Sequence, residues 1–281
     1  MKKIYFLLFF AAWGALGLTS CQKAENKLIF EGGTSPVLTV SKPGPIVFSK
    51  ADAEKSAITF SWTNPNYMFN TGLSSQNVNY ILEMDLVGAN FGSANRVQSS
   101  MGSDINKTFL TREINSLLNT MELKAGVPHN LEFRIKASLG SAAPLLSNVV
   151  KMTISPYLDF AVEPPGTAAN NYEDGNLWAV GDAFAAGWSN PLPAPYDVSQ
   201  KFTKIDVLHY ELIINFIGGG GYKLIQEQGV WGTQYHALAG GDANSGSFER
   251  KDAEPGFPGQ PAGRYKIQIN FQTGRYTVTK Q

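Results

Sequence analysis

A second cysteine is missing from this chain, which removes any disulfide framework and any cysteine-built metal site. Charge is scarce as well: 23 basic and 23 acidic residues cancel, and charged residues make up only 16%. That excludes the basic footprint expected of a nucleic-acid binder or of a protein held electrostatically to anionic lipid. The three histidines, His129, His209 and His236, have no ligand spacing such as HExxH. No G-x-S-x-G elbow occurs. The run Gly218 to Gly221 before Tyr222 and Lys223 lacks P-loop spacing, and Leu224 stands where Ser or Thr is needed, so it reads as a hairpin turn. A glycosidase fixes two carboxylates about 5–10 Å apart. Asp182, Glu227, Glu249, Asp252 and Glu254 instead fall in turns and polar loops, where solvation accounts for them. The stretch from Gly240 to Asn244 offers oxygen ligands but no twelve-residue calcium loop ending in Glu. The expectation is a non-enzyme without cofactor or metal.

The one cysteine, Cys21, is placed informatively. Lys2 and Lys3 precede an apolar stretch from Ile4 to Leu18, about 15 residues against the roughly 20 a membrane-spanning helix requires. Thr19 and Ser20 then lead into Cys21, an arrangement that resembles a bacterial lipobox. The resemblance implies that residues 1–20 are a lipoprotein signal and that Cys21 carries the acyl chains holding the mature protein to a membrane. No later stretch is apolar enough to span a bilayer.

About 260 residues remain after such a signal, enough for two domains. Within 22–156, period-two alternation predicts strands: Ile58, Phe60 and Trp62; Tyr80, Leu82, Met84 and Leu86; Leu131, Phe133, Ile135 and Ala137; Val150, Met152 and Ile154. Leu110, Ile114, Leu117, Leu118 and Met121 are spaced for a short helix instead. Strands with long connections and an early core Trp62 predict an immunoglobulin or fibronectin-III-like β-sandwich, acting as a spacer. Residues 157–175, with Pro164, Pro165 and Gly166 and little periodicity, read as an interdomain linker.

Residues 176–281 predict a second β-sandwich, making the whole chain all-β. Leu208, Tyr210, Leu212, Ile214 and Phe216 give the strongest alternation. Residues 177–182 and 222–225 read as further strands, and Tyr265, Ile267, Ile269 and Phe271 lead through Thr273 and Gly274 into a final hairpin. Between them lie loops with Trp188 and Asn190, with Trp231 through Tyr235, and a long Gly/Asp/Asn/Pro stretch at 240–263.

In this order the segments resemble the SusE/SusF-type outer-membrane lipoproteins of polysaccharide-utilisation systems. The residues that carry the likeness are the lipobox, Phe60-Ser61-Trp62, the run Leu177-Trp178-Ala179-Val180-Gly181-Asp182-Ala183, Gly187-Trp188, and Tyr222-Lys223-Leu224-Ile225 followed by Trp231. Gln22-Lys23-Ala24-Glu25 resembles the short signal that sends such lipoproteins to the cell surface. One C-terminal module stands here where better-known members carry two or three, so starch itself is not implied. The resemblance implies a lipid-anchored protein on the outside of the outer membrane, a poly- or oligosaccharide ligand, and a SusC/SusD-type transporter as partner.

Sugar chemistry points to the same loops. Sugar rings stack their C–H faces on exposed Trp or Tyr, while amides, cations and carboxylates hydrogen-bond the hydroxyls. Trp188 and Trp231 lie in glycine-flanked loops and are the candidate platform. Lys223, Gln226 and Asn190 are candidate hydroxyl contacts, with Tyr222 and Tyr235 as further candidate rings. Trp178, on a strand, is expected to be structural. Exposed, coplanar tryptophans favour glycan capture. Buried ones favour a scaffold lipoprotein without a sugar site, and a degenerate glycosidase is the third reading.

Overall fold

The computed structural model describes residues 27–140, 144–167 and 175–281. Cys21 and the signal segment lie outside the described residues.

The N-terminal half is a β-sandwich. One layer runs in the order Ile46–Val47, Val150–Ser155, His129–Ser138, Asn79–Leu86, Val97–Gly102, with Leu145–Leu146 added on His129–Ser138. The facing layer is Leu38–Val40, Ser56–Trp62, Asn106–Leu110. A third small sheet joins Phe30–Gly32, Met68–Phe69 and Gly72–Leu73. Alternation drives this arrangement, because Phe60 and Phe133 point inward from opposite layers and their rings meet at 5.1 Å. Trp62 is buried against Tyr80 at 5.7 Å, as its place on a strand predicts. The expected helix spans Thr111–Thr120. Glu113 Oε2 accepts the Leu110 N–H at 2.7 Å, and the helix buries Ile114 and Leu118 in the core.

The C-terminal half wraps one sheet around one core. Its order is Trp178–Val180, Gly221–Ile225, Tyr235–Ala237, Ser245–Arg250, Arg275–Lys280, Gly263–Asn270, His209–Phe216, Thr203–Lys204, with Phe257–Pro258 added on Gly221–Ile225. The two ends meet: Ala179 N donates to Gln200 O at 3.0 Å and Phe202 N to Leu177 O at 2.8 Å. Closure of this kind leaves few free strand edges. Among the described residues, eleven buried aromatic rings fill the interior, Phe216, Phe248, Phe257 and Phe271 included.

The reading of 240–263 as loop is corrected, since Ser245–Arg250 pairs with both Arg275–Lys280 and Tyr235–Ala237. Its residues carry little apolar signal because Gly246 lies under the Tyr276 ring, where a Cβ would sit 2.7 Å away. Phe248 alone supplies a large inward side chain.

Residues 157–167 touch both halves. Tyr157 N donates to Asn115 Oδ1 at 2.9 Å, and Ala161 and Val162 donate to Phe271 O at 3.1 and 3.2 Å. Beside them, Gln272 Nε2 donates to Asn119 Oδ1 and Leu123 O at 3.3 and 3.1 Å, and Asn270 Nδ2 to Glu122 Oε1 at 2.9 Å.

Candidate functional site

The tryptophan loops begin where the strand Trp178–Val180 ends. Gly181 passes so close to the 218–221 turn that a Cβ there would lie 2.1 Å from Gly221 O. The contact is locked by Asp182 Oδ1, which accepts the Gly221 N–H at 2.8 Å. Gly187, at φ +60°, takes the left-handed conformation that turns Trp188 outward. Trp188 is 46% exposed.

Trp231 comes from the loop after Gly221–Ile225 and packs, half-buried, on a satellite cluster of Trp178, Val180, Leu192 and Ile225. Two side-chain bonds tie the loops together: Gly229 N to Asn190 Oδ1 at 2.6 Å and Leu192 N to Gln228 Oε1 at 2.7 Å. The two indoles end 6.2 Å apart between centroids and tilted by 50°. They meet at an angle, one ring exposed and the other its half-buried flank, so the pair matches neither the exposed, coplanar arrangement that favours glycan capture nor the buried one that favours a scaffold.

The remaining candidates divide. Asn190 is beside the pair, and its Nδ2 is buried without a hydrogen-bond partner. Gln226 is buried as well. Its Nε2 donates to Thr233 O at 2.7 Å, which leaves Oε1 unpartnered. Lys223 is buried and committed to the protein, donating to Ala253 O at 2.9 Å and pairing with Glu254 at 2.6 Å. That ammonium holds the exposed Glu254 carboxyl below the usual carboxylate range.

Tyr222 and Tyr235 are corrected from candidate rings to core residues. Both are fully buried because their positions point into the closed sheet. Tyr222 stacks on Phe257 at 5.2 Å and 19°, and burial pushes its hydroxyl pKa up. Tyr235 lies 5.2 Å from Phe271 and donates its hydroxyl to Glu163 O at 2.8 Å. Trp178 is structural as expected, its Nε1 donating to Asp197 O at 2.8 Å.

Sequence reasoning missed Gln228, Thr233 and Gln234. Gln228 Nε2, Thr233 Oγ1 and Gln234 Oε1 are also buried and unpartnered, so polar groups unmatched by the protein gather around Trp231. The available signal was the density of Gln residues on both sides of that indole. Two clefts elsewhere among the described residues contain none of the predicted residues. One of about 340 Å³ is lined by Tyr196, Gln200 and Arg264, and another of about 480 Å³ by Asp206, His209 and Glu211. Among the described residues, no group of three or more His, Cys, Asp or Glu is arranged to hold a metal ion.

Comparison with known proteins adds a sequence likeness to this geometry. Residues 23–136 match the family described as SusE outer membrane protein. The SusF crystal structure from Bacteroides thetaiotaomicron aligns at 18% identity with a TM-score of 0.47, covering 88% of this chain and 52% of that one. The chain thus spans about half the length of that SusF. The FN1-FN3 domains of chicken CNTN1 align at 10% identity and TM-score 0.26, covering 89% of this chain and 70% of that one. A search of curated proteins found no match. The N-terminal half is therefore SusE-like in sequence, in agreement with the resemblance carried by residue order.

Proposed function

We propose, from a chain whose residues 23–136 are SusE-like, a non-catalytic outer-membrane lipoprotein that holds polysaccharide at the cell surface for a SusC/SusD-type importer. Acyl chains on Cys21 anchor it, the N-terminal sandwich is the spacer, and the C-terminal module holds the sugar. The observation that carries this reading is Trp188, a large indole left 46% exposed beside a second tryptophan on a loop tied down by side-chain hydrogen bonds. An indole so placed stacks on the apolar face of a sugar ring, and the amides around it match hydroxyls. Weak affinity at one such site suits the task, because many anchored copies on one cell supply avidity.

The test is Trp188→Ala in native gels cast with a panel of polysaccharides. The expected result is loss of retardation with an unchanged melting temperature. Undiminished retardation refutes the site. Replacing Cys21 with Ala is expected to move the protein from the membrane to the soluble fraction. The half-burial of Trp231 favours the second reading, a scaffold lipoprotein of the importer. It predicts no retardation by any glycan and co-purification with the transporter.

A further inference from the structure

The N-terminal sandwich carries an apolar edge that the sugar site leaves unexplained. Leu28 and Leu73 are 58% and 63% exposed, and Ile29, Phe30 and Met68 also show large apolar surface. Phe30, Met68 and Leu73 belong to one small sheet, and Leu28 and Ile29 lead directly into its first strand. Phe30–Gly32 pairs with Met68–Phe69, which pairs with Gly72–Leu73, and Met68 lies directly across from Leu73. Asn70 fastens the incoming chain to the hairpin, accepting from Ile29 N at 3.0 Å and donating to Lys27 O at 3.0 Å. Exposed apolar residues gathered in this way mark a contact surface, whereas single ones do not.

Topology fixes which end of the sandwich this is. The hairpin is docked through Tyr67, whose hydroxyl donates to Ala137 O at 2.9 Å, near the end of the strand His129–Ser138. The opposite end of that strand, His129, pairs with Ile154 and bonds Lys124 O at 2.8 Å. There the chain passes through Pro156 and Tyr157 into the C-terminal module, alongside the Asn119 and Leu123 contacts to Gln272. A ten-residue strand at about 3.3 Å per residue puts roughly 30 Å between the apolar edge and the joint.

Cys21 stands six positions before Lys27 in the chain. Six residues reach at most about 20 Å even when fully extended. An acylated Cys21 therefore keeps the apolar edge within one short tether of the lipid surface.

We infer that the edge formed by Leu28, Ile29, Phe30, Met68 and Leu73 seats on the phospholipid surface, so that the molecule stands with its C-terminal module directed away from the membrane. This rests on the proposed lipidation of Cys21 and adds an orientation that lipidation alone does not supply.

A site-specific probe tests it. Acylation consumes the native thiol, so Leu73→Cys introduces a unique one, and Val198→Cys does the same at a 74% exposed position in the C-terminal half. Each purified, acylated protein is labelled with an environment-sensitive dye and reconstituted into phosphatidylcholine vesicles containing spin-labelled lipid. The expected result is blue-shifted emission and at least twofold quenching at position 73, with neither at 198. Equal, unquenched emission at both positions in vesicle-bound protein overturns the inference and leaves lipidation standing. A label at 73 shielded from iodide yet unquenched by spin-labelled lipid overturns it in favour of a second copy covering the edge. Absence of the chain from the vesicle fraction overturns the lipidation reading, and the seating falls with it.

Discussion

The two halves solve the same problem differently. The N-terminal half faces two open layers across a mainly aliphatic core, with Phe60 and Phe133 as the bridge between them. The C-terminal half closes one sheet on itself and fills it with aromatic rings in mutual contact. Their polar interiors differ too. Among the described residues, buried unpartnered side-chain atoms in the first half belong to Trp62, Tyr80 and Glu132, whereas eight in the second include the cluster from Asn190, Gln226, Gln228, Thr233 and Gln234. Such groups each cost about 1–3 kcal/mol when left unmatched. The second half thus carries most of its unsatisfied groups among the described residues in and beside the loops around the tryptophans.

The strongest way to break this comparison is to empty each core in turn. Phe133→Ala and Phe257→Ala each remove a fully buried ring, and each is expected to cost about 3–5 kcal/mol. In differential scanning calorimetry each substitution should shift its own half's transition and spare the other. A common shift of one merged transition would mean that the halves unfold as a unit.

The joint sets how separate they are. Gln272 is buried and bonds Asn119 and Leu123. Gln272→Ala strips a partner from both and is expected to cost about 1–3 kcal/mol. Its distinguishing readout is the gap between the two thermal transitions, which should widen. Unchanged spacing would show that the other contacts, those of residues 157–167 and the Asn270–Glu122 bond, carry the coupling without Gln272.

The tryptophans sharpen the comparison within the second half. Trp231 packs on Trp178, Leu192 and Ile225, so Trp231→Ala is expected to cost about 1–2 kcal/mol of stability. Trp188→Ala, removing a half-exposed ring, is expected to cost under about 0.5 kcal/mol. Urea titration separates them: equal costs would mean that Trp188 is packing rather than platform.

How far the sequence could be read follows from the same contrast. Alternation exposed Ser56–Trp62, Asn79–Leu86, His129–Ser138 and His209–Phe216 because one face of each is buried. It hid Val97–Gly102 and Ser245–Arg250, whose outward and inward positions are filled by Ser, Gln and Gly as much as by apolar residues. Trp188 was legible as an exposed indole because Gly187 announces the turn. Tyr222 was misread because, inside a closed sheet, the strand Gly221–Ile225 is buried on both faces and gives no alternation to say which way a ring points. The amides of Gln228 and Gln234 depend on contacts between loops that residue order does not contain.

The smallest effect concerns one carboxylate in each half. Burial pushes Asp85 up, but the Ser93 hydroxyl at 2.5 Å and the Ser93 and Leu86 amides outweigh it and hold its pKa below the ordinary value. Asp206 is similar: burial raises it, while the Leu208 and His209 amides and the His209 ring bring it below the ordinary value. A carboxyl depressed in the folded state contributes stability that is present above its unfolded pKa, about 3.9 for Asp, and is lost as pH falls through the lower folded value. Asp85 is fully buried, whereas the Asp206 side chain is 56% exposed and screened by solvent. Lowering the pH from 5 towards 2 should therefore reduce the N-terminal transition more than the C-terminal one, and Asp85→Asn should flatten that dependence more than Asp206→Asn does. Equal flattening by the two variants would mean that burial, the property separating the carboxylates, does not govern how acid acts on either half.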